Sequence, residues 1–229
     1  MNIEEIKESL KKKATVFSTG GICPTNELHE SWIGKVGWKN PGETHPTDET
    51  GLQMIPLATL FLDNLENLPN SLSGIKLITI FMNNNSNPDD DFDYVNCFEI
   101  RTYNTLENLI PCNYTSDFIN AFPLVPKSVD NDYPQYEDLD KDLIRIISEK
   151  EENEDFDYYE DICIDSYSTH KIGGYPSSIQ GGVGFPVGFE FVFQITSDPK
   201  ANINIVDSGN LYFGYNPNNK KWSVRCDFY

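Results

Sequence analysis

Two stretches of the chain share one layout, and this duplication limits the folds that the chain can adopt. The first copy begins at Ile33-Gly34 and the second at Ile172-Gly173, and strand-like apolar runs follow at 57–62 and 189–195. Each run leads through a link rich in Pro, Asn and Asp to a Ser-Gly pair and a further strand-like run. Glycine is favoured where the backbone needs a positive φ or a close approach. The layout predicts two similar β-units related by a pseudo-twofold axis.

Short-range patterns predict further strands. Residues 75–82, residues 92–103 and the alternating run 222–229 each favour a strand. The polar residues 216–220 predict a hairpin loop before the last of these. The predicted fold class is therefore α+β, with mainly antiparallel β-sheets built from the two repeated units and a few short helices.

The helices are expected to be short. Residues 2–14 combine a capping pattern with apolar side chains at helical spacing, which predicts a helix. Residues 139–147 predict a second amphipathic helix, followed by an acidic extension. The proline-containing stretch 107–137 is predicted to be irregular, and Ile162 to Ile164 to be a short strand.

The negative charge of the chain is concentrated in its middle. The formal net charge is −19, and residues 86–165 hold 22 Asp and Glu against 5 Lys and Arg, whereas the remainder is nearly balanced. We predict a single domain with an N-terminal helix and loop at 1–30, a first β-unit at 31–85, an acidic insert at 86–165 and a second β-unit at 166–229. The insert is interpreted as an accessory to the paired units.

Composition disfavours several partners and locations. A chain this acidic lacks the Lys and Arg that contact phosphate, so nucleic acid and anionic membranes are not expected partners. No run approaches the ~20 apolar residues that a membrane-spanning helix needs. Five cysteines without CxxC spacing, in a chain with no apparent signal peptide, predict free thiols and a cytoplasmic location.

No motif requires a particular chemistry. The Gly-rich stretch 181–188 lacks the following helix and the Lys-Ser/Thr pair of a phosphate loop. The three histidines show no metal-ligand spacing. We therefore expect no metal, no cofactor and no catalytic residue. The best enzymatic alternative is a Cys–His pair, either Cys163 with His170 or Cys23 with His29, although aspartates beside Cys163 oppose its activation.

Two binding hypotheses remain, and the first concerns the acidic segment. Its carboxylates are interpreted as a docking face for a basic protein, without catalysis. The candidates are Glu151, Glu152, Glu154, Asp155, Asp157, Glu160 and Asp161. The alternatives are a merely solvated surface and loose binding of Ca²⁺ or Mg²⁺, for which EF-hand spacing is missing.

The second hypothesis is a small-ligand site or an active site in the groove between the two β-units, because concave seams host ligands. The candidates are Trp32, Trp38, His170, Tyr175 and Gln194. A deep apolar pocket with a few polar groups between the units would favour this hypothesis.

The motifs of both units resemble those of one known family. The similar stretches are 170–176, 191–195 and 209–213 in the second unit and 31–36, 41–43 and 54–60 in the first. They are similar to the YwqG-like family, a domain of unknown function (DUF1963), although Lys35 stands where the second copy has Gly174. The resemblance implies a cytoplasmic, mostly bacterial single domain of mixed α and β structure with a duplicated sheet unit and no established activity. Some relatives are encoded near polymorphic toxin genes, which suggests an immunity-type role.

Overall fold

The computed structural model describes residues 2–83, 93–153, 155–164 and 167–229. In these residues the helices are α1 (Ile3–Leu10), α2 (Lys141–Asn153) and α3 (Tyr158–Asp161). The strands are β1 (Lys12–Thr19), β2 (Ser31–Ile33), β3 (Val36–Lys39), β4 (Ile55–Phe61), β5 (Leu77–Met82), β6 (Phe98–Tyr103), β7 (Ile110–Tyr114), β8 (Phe122–Asp132), β9 (Lys171–Gly173), β10 (Glu190–Thr196), β11 (Asn210–Asn216) and β12 (Lys221–Asp227). None of the helices in the described residues is long and apolar enough to cross a membrane.

Ten of the strands form one antiparallel sheet, and the strands on the two sides of its centre follow in a matching order. β1 and β8 pair in the middle, β9, β10, β11 and β12 follow beyond β1, and β2, β4, β5 and β6 follow beyond β8. A three-residue strand comes first on each side. The next strand has a register shift against its outer neighbour, between Pro56 and Ala58 in β4 and between Phe191 and Phe193 in β10.

The sheet curls until its outer strands, β6 and β12, nearly meet. The backbone N–H of Tyr94 donates to the carbonyl oxygen of Val224 at 2.8 Å. The Asp93 carboxylate accepts from the backbone N–H of Val224 at 2.8 Å and from the Ser223 hydroxyl at 2.5 Å. These bonds bridge the gap and produce a nearly closed barrel. Its interior is one apolar core with residues from both halves of the sheet.

Two layers cover parts of the outer face of the barrel. The small sheet of β3 and β7 packs near β5, where Val36, Phe81 and Tyr114 share an apolar cluster. The helices form a second layer with an apolar cluster of their own, which includes Ile6 and Tyr158. Most apolar side chains of the helices are thus fully or partly buried in this cluster, which leaves their charged faces to solvent.

The strands with strong local patterns are confirmed. Residues 75–82 contain β5, the alternating run at 222–229 contains most of β12, and the polar loop between β11 and β12 forms the predicted hairpin. The strand predicted over 92–103 begins later, at Phe98. The mainly antiparallel α+β class is confirmed at this level.

The helix predicted over residues 2–14 is wrong beyond Leu10. Its capping box of Asn2 and Glu5 is present, but the chain enters β1 at Lys12. β1 buries Ala14–Phe17 and pairs with β8 on one side and β9 on the other. Pairing with two strands from distant parts of the sequence outweighs the local helical spacing at Ala14.

The irregular stretch predicted over 107–137 is also wrong, because it contains β7 and the 11-residue strand β8. Prolines 123 and 126 lie inside β8, where pairing with β1 fixes an extended backbone. The strand predicted at Ile162 to Ile164 is wrong as well. Ile162 is buried directly after α3, whereas the side chain of Ile164 is 61% exposed.

Segment 86–165 is not an accessory on top of two complete units. It supplies β6 at one edge of the large sheet and β8 at its centre, in addition to the outer strand β7 and the helices α2 and α3. The sequence did not reveal this role. The segment is strongly acidic, and β8 buries only some of its residues, so it lacks the long apolar run that indicates a central strand.

Candidate functional site

An apolar cavity of about 300 Å³ opens at one end of the barrel interior, and we call it the barrel cavity. One half of the sheet supplies Ile55 and Leu57 from β4 together with Phe98 from β6. The other half supplies Leu211 from β11 and Cys226 from β12. The cavity therefore lies between the two halves of the sheet. It is close to the bonds that bridge β6 and β12.

Two loop segments form the mouth of the barrel cavity. Phe118 and Val206 line it and are 61% and 59% exposed. The side-chain amide of Asn202 donates to the carbonyl oxygen of Phe118 at 2.9 Å, and the backbone N–H of Asn120 donates to that of Ala201 at 2.8 Å. These bonds tie the two segments together, so that they form one rim.

Val206 in this rim has an unusual backbone. Its φ is +53°, and β-branched residues rarely adopt the left-handed region. Such conformations cost about 1–3 kcal/mol and cluster at ligand sites and switch regions. The strain at Val206 therefore marks the rim as a candidate functional feature.

The lining of the barrel cavity is uncharged. Within the described residues it contains neither acidic nor basic side chains, and its polar members are Tyr94, Asn202, Asn204 and Cys226. Burial, with a smaller effect of Asp227, raises the pKa of the Cys226 thiol to about 11. The thiol is therefore protonated at neutral pH and is a poor nucleophile. The arrangement is suited to holding a neutral ligand and lacks an acid–base pair.

The five predicted groove residues lie in several places, none of them in the lining of the barrel cavity. Trp32 and Trp38 share a small pocket of about 260 Å³, in which Lys35 Nζ lies 4.3 Å from the Trp32 ring centroid. Tyr175 lines a separate open groove of about 820 Å³ and stacks under Lys12 Nζ at 3.9 Å.

His170 and Gln194 are buried and engaged in hydrogen bonds. Gln194 Oε1 accepts from the backbone N–H of Ser177 at 2.9 Å. His170 Nδ1 accepts from the N–H of Thr196 at 3.1 Å, and Nε2 lies 3.3 Å from Asp198 Oδ2. The contact with His170 is the main cause that holds the pKa of Asp198 far below its usual range. The prediction of one groove lined by all five residues therefore does not describe this arrangement.

A buried ion pair supports the second glycine motif. Lys171 Nζ lies 2.9 and 3.0 Å from the two carboxylate oxygens of Asp132, and both side chains are 1% exposed. Burial by itself raises the pKa of Asp132 and lowers that of Lys171, and their contact opposes both shifts. The N–H of Tyr175 also donates to Asp132, at 2.6 Å. The pair thus fixes the turn after β9 against the end of β8.

Gly174 permits this arrangement. Its φ is +68°, and a Cβ at this position would collide with the Asp132 carboxylate. The paired glycines in the sequence signalled a special backbone, but Lys171 and Asp132 were missed as partners. No local spacing connects them, since they lie on β9 and at the end of β8.

The acidic candidates lie on the helical layer, and the described ones are exposed. They are Glu151, Glu152, Asp155, Asp157, Glu160 and Asp161; Glu154 lies outside the described residues. Three of them also have a structural role, and one is Asp161, which accepts from the backbone N–H of Asp157 at 2.9 Å. Asp157 caps α3 by accepting from the N–H groups of Tyr159 and Glu160, and Glu151 accepts from the N–H of Tyr158.

The alternative chemistries gain no support from the geometry. In the described ranges no group of three or more His, Cys, Asp and Glu side chains could hold a metal ion. Burial and, to a smaller extent, Asp132 raise the pKa of Cys163 to about 11, which disfavours thiolate chemistry.

Residues 33–222 match the sequence profile of a protein family whose description is "Domain of unknown function (DUF1963)". The match includes both glycine motifs and extends over most of the barrel, in agreement with the resemblance drawn from the motifs. No curated protein matches the chain.

Proposed function

This chain belongs to the DUF1963 family, and because that family is defined without a function, we propose one from the geometry. The protein is a non-catalytic binding protein that holds a small apolar ligand in the barrel cavity. The observation that carries this proposal is an apolar volume of about 300 Å³ lined from both halves of the sheet. Barrel mouths and apolar concave sites of this size are preferred ligand sites.

The cavity volume bounds the size of the ligand. An apolar cavity of roughly half this volume binds benzene. The barrel cavity therefore suits a molecule of about two fused rings. Ligands of this size bind with roughly 5–7 kcal/mol, which corresponds to a Kd between about 10 and 200 μM.

Naphthalene is the probe for this proposal, and Ile205→Trp is the blocking variant. Ile205 lines the cavity and is partly buried, so an indole at this position is expected to fill much of the volume. We expect the wild-type protein to bind naphthalene in the range given above and the variant to bind at least about tenfold more weakly. Isothermal titration calorimetry measures both.

Ile22→Trp is the matched control, because Ile22 is 51% exposed and does not line the cavity. It should leave the affinity within about twofold. Thermal unfolding of each variant establishes that it is folded. A wild-type protein that does not bind naphthalene, or an Ile205→Trp variant that binds it normally, would contradict the proposal.

We also propose that the two halves of the sheet are duplicated units related by a pseudo-twofold axis, with the cavity between them. Three features support this: the mirrored strand order, the matching register shifts in β4 and β10, and equivalent pairings of the short strands. Ile33 lies opposite Ala58 in β4, and Ile172 lies opposite Phe193 in β10. Superposition of Ile33–Asn83 on Ile172–Asn216 tests the proposal.

A second candidate function is docking of a basic protein, in the manner of an immunity protein, and one observation favours it. The exposed carboxylates of α2, α3 and the loop between them form an acidic face outside the barrel, which consists of Glu151, Glu152, Asp155, Asp157, Glu160 and Asp161. Such a surface attracts a cationic partner and accelerates association at low salt. Nucleic acid and anionic membranes are not proposed as partners, because both carry the same sign of charge.

The acidic face is tested with poly-L-lysine as the probe. We expect a fourfold amide variant to bind it about three- to tenfold more weakly at low salt, with the difference shrinking as salt rises. The variant carries Glu151→Gln, Glu152→Gln, Asp155→Asn and Glu160→Gln. A control variant removes the same charge from exposed sites elsewhere, with Glu27→Gln, Glu49→Gln, Glu66→Gln and Glu107→Gln.

Surface plasmon resonance over a salt series compares the two variants. Equal losses in both would show attraction to net charge alone and would contradict a localised docking face.

We further propose a cytoplasmic location. All five cysteines are free, and free thiols are typical of reducing compartments. Cell fractionation with an antibody against the protein tests this location.

A further inference from the structure

Tyr94 is one of the polar residues that line the barrel cavity, and we infer from its hydroxyl the chemical class of the ligand. It is an uncharged aromatic molecule of about two fused rings that carries one hydrogen-bond acceptor, and the acceptor is bound by the hydroxyl of Tyr94. This inference rests on the proposed function of the cavity and adds to it the polarity and orientation of the ligand.

The backbone of Tyr94 is held from both sides. Its N–H donates to the carbonyl oxygen of Val224 in β12, and its own carbonyl oxygen accepts from the N–H of Cys97, both at 2.8 Å. Tyr94 therefore belongs to the bridge that closes the barrel, and its side chain lines the cavity beside Phe98. A site built on such a fixed backbone can present a hydroxyl in a defined position.

The hydroxyl of Tyr94 has no hydrogen-bond partner within the described residues. Burial is the main cause that raises the pKa of Tyr94, and the thiols of Cys226 and Cys97 add to it. The phenol is therefore protonated at neutral pH and is a partly desolvated donor. A partly desolvated O–H without a protein acceptor has lost some of its hydration, and a ligand acceptor would replace it.

The other polar side chains in the lining are less suited to this role. Asn202 donates to the carbonyl oxygen of Phe118 at 2.9 Å. Asn204 donates to the carbonyl oxygen of Val206 at 3.1 Å and accepts from the N–H of Ser208 at 3.2 Å. The thiol of Cys226 is only a weak donor. The amide nitrogens of both asparagines are thus held to the rim backbone, whereas the Tyr94 hydroxyl makes no such bond, and this makes it the donor best suited to a ligand.

The lining also determines the charge and the shape of the ligand. Burying an ion without a charged partner costs several kcal/mol, and the described lining offers no such partner. The rings of Tyr94, Phe98 and Phe118 all line the cavity, and aromatic pairs gain from offset or edge-to-face contact beyond the area that they bury. A neutral aromatic ligand is therefore favoured over an anionic or a cationic one.

The test compares naphthalene with quinoline, which has the same shape and one ring nitrogen as an acceptor. We expect Tyr94→Phe to weaken quinoline binding by about 2- to 10-fold, the range of one hydrogen bond, and to leave naphthalene binding within about twofold. Tyr215→Phe is the control, since this tyrosine belongs to the same core and does not line the cavity. It should change neither affinity.

The charge of the ligand is tested with 1-naphthoate, a charged molecule of similar shape. It should bind at least about tenfold more weakly than naphthalene to the wild-type protein.

The outcomes separate this inference from the proposed function. If no probe binds, the proposed function fails and the inference fails with it. If naphthalene binds but Tyr94→Phe affects both neutral probes equally, the cavity function stands and the role of the Tyr94 hydroxyl is overturned. If 1-naphthoate binds as well as naphthalene, the inference of an uncharged ligand is overturned.

Discussion

Asp132→Ala is expected to lower the free energy of unfolding by about 3–5 kcal/mol, because it leaves the ammonium of Lys171 buried without its partner. Chemical denaturation at neutral pH measures this loss. Asp130→Ala is the matched control, since Asp130 contacts Lys13 at 3.5 Å in a pair with both side chains about 70% exposed. Such surface pairs contribute little, and we expect a loss below about 1 kcal/mol. Equal losses in the two variants would contradict the importance of the buried pair.

Two further measurements identify the charge of Lys171 as the cause. Lys171→Met added to Asp132→Ala should recover part of the lost stability, because it removes the uncompensated charge. Burial lowers the pKa of Lys171, and the loss of Asp132 removes an opposing effect. The folded state then releases a proton at a lower pH than the unfolded state does. The stability of Asp132→Ala should therefore rise relative to wild type as the pH increases from 7 towards about 10, the usual pKa of lysine.

Gly174→Ala is expected to cost about 3–4 kcal/mol. Its Cβ would collide with the Asp132 carboxylate, so the substitution disturbs the Lys171–Asp132 pair and also forces alanine into the left-handed region. Gly182→Ala separates these two causes. Gly182 has φ +72° and no atom within 4 Å of an added Cβ, so only the backbone strain of about 1–2 kcal/mol should appear. Chemical denaturation of both variants under identical conditions compares their free energies of unfolding. Equal losses would contradict a contribution from the collision with Asp132.

The sequence was informative about the fold wherever an element's pattern is local. β10 and β12 follow from alternating apolar residues, and β11 follows from its apolar run and from the polar turn before Lys221. β1 and β8 could not be recognised in this way. Ala14 fits a helical stripe equally well, and Pro123 with Pro126 read as breakers. What makes both segments strands is their pairing with each other and with short strands far along the chain.

The candidate site was harder to predict for a different reason. Sequence reasoning selected polar and aromatic residues for a groove between the two units, such as His170 and Gln194, whose polar atoms form hydrogen bonds within the protein. The barrel cavity is lined by residues such as Ile55 and Leu57, which have the composition of an ordinary core. A wall of a cavity and a filled core differ in shape and not in residue type, so periodicity cannot separate them. Tyr94 gave no local signal either.

The central place of β1 has a consequence for how the chain reaches its native state. Ala14 of β1 lies opposite Gly173 of β9, so β1 pairs with a strand that is more than 150 residues away in the sequence. Closing so large a loop costs entropy before any contact compensates for it, and topologies dominated by distant pairings fold slowly. During that interval the apolar side chains of β1 are exposed to water, and an unpaired strand with an exposed apolar face is prone to self-association.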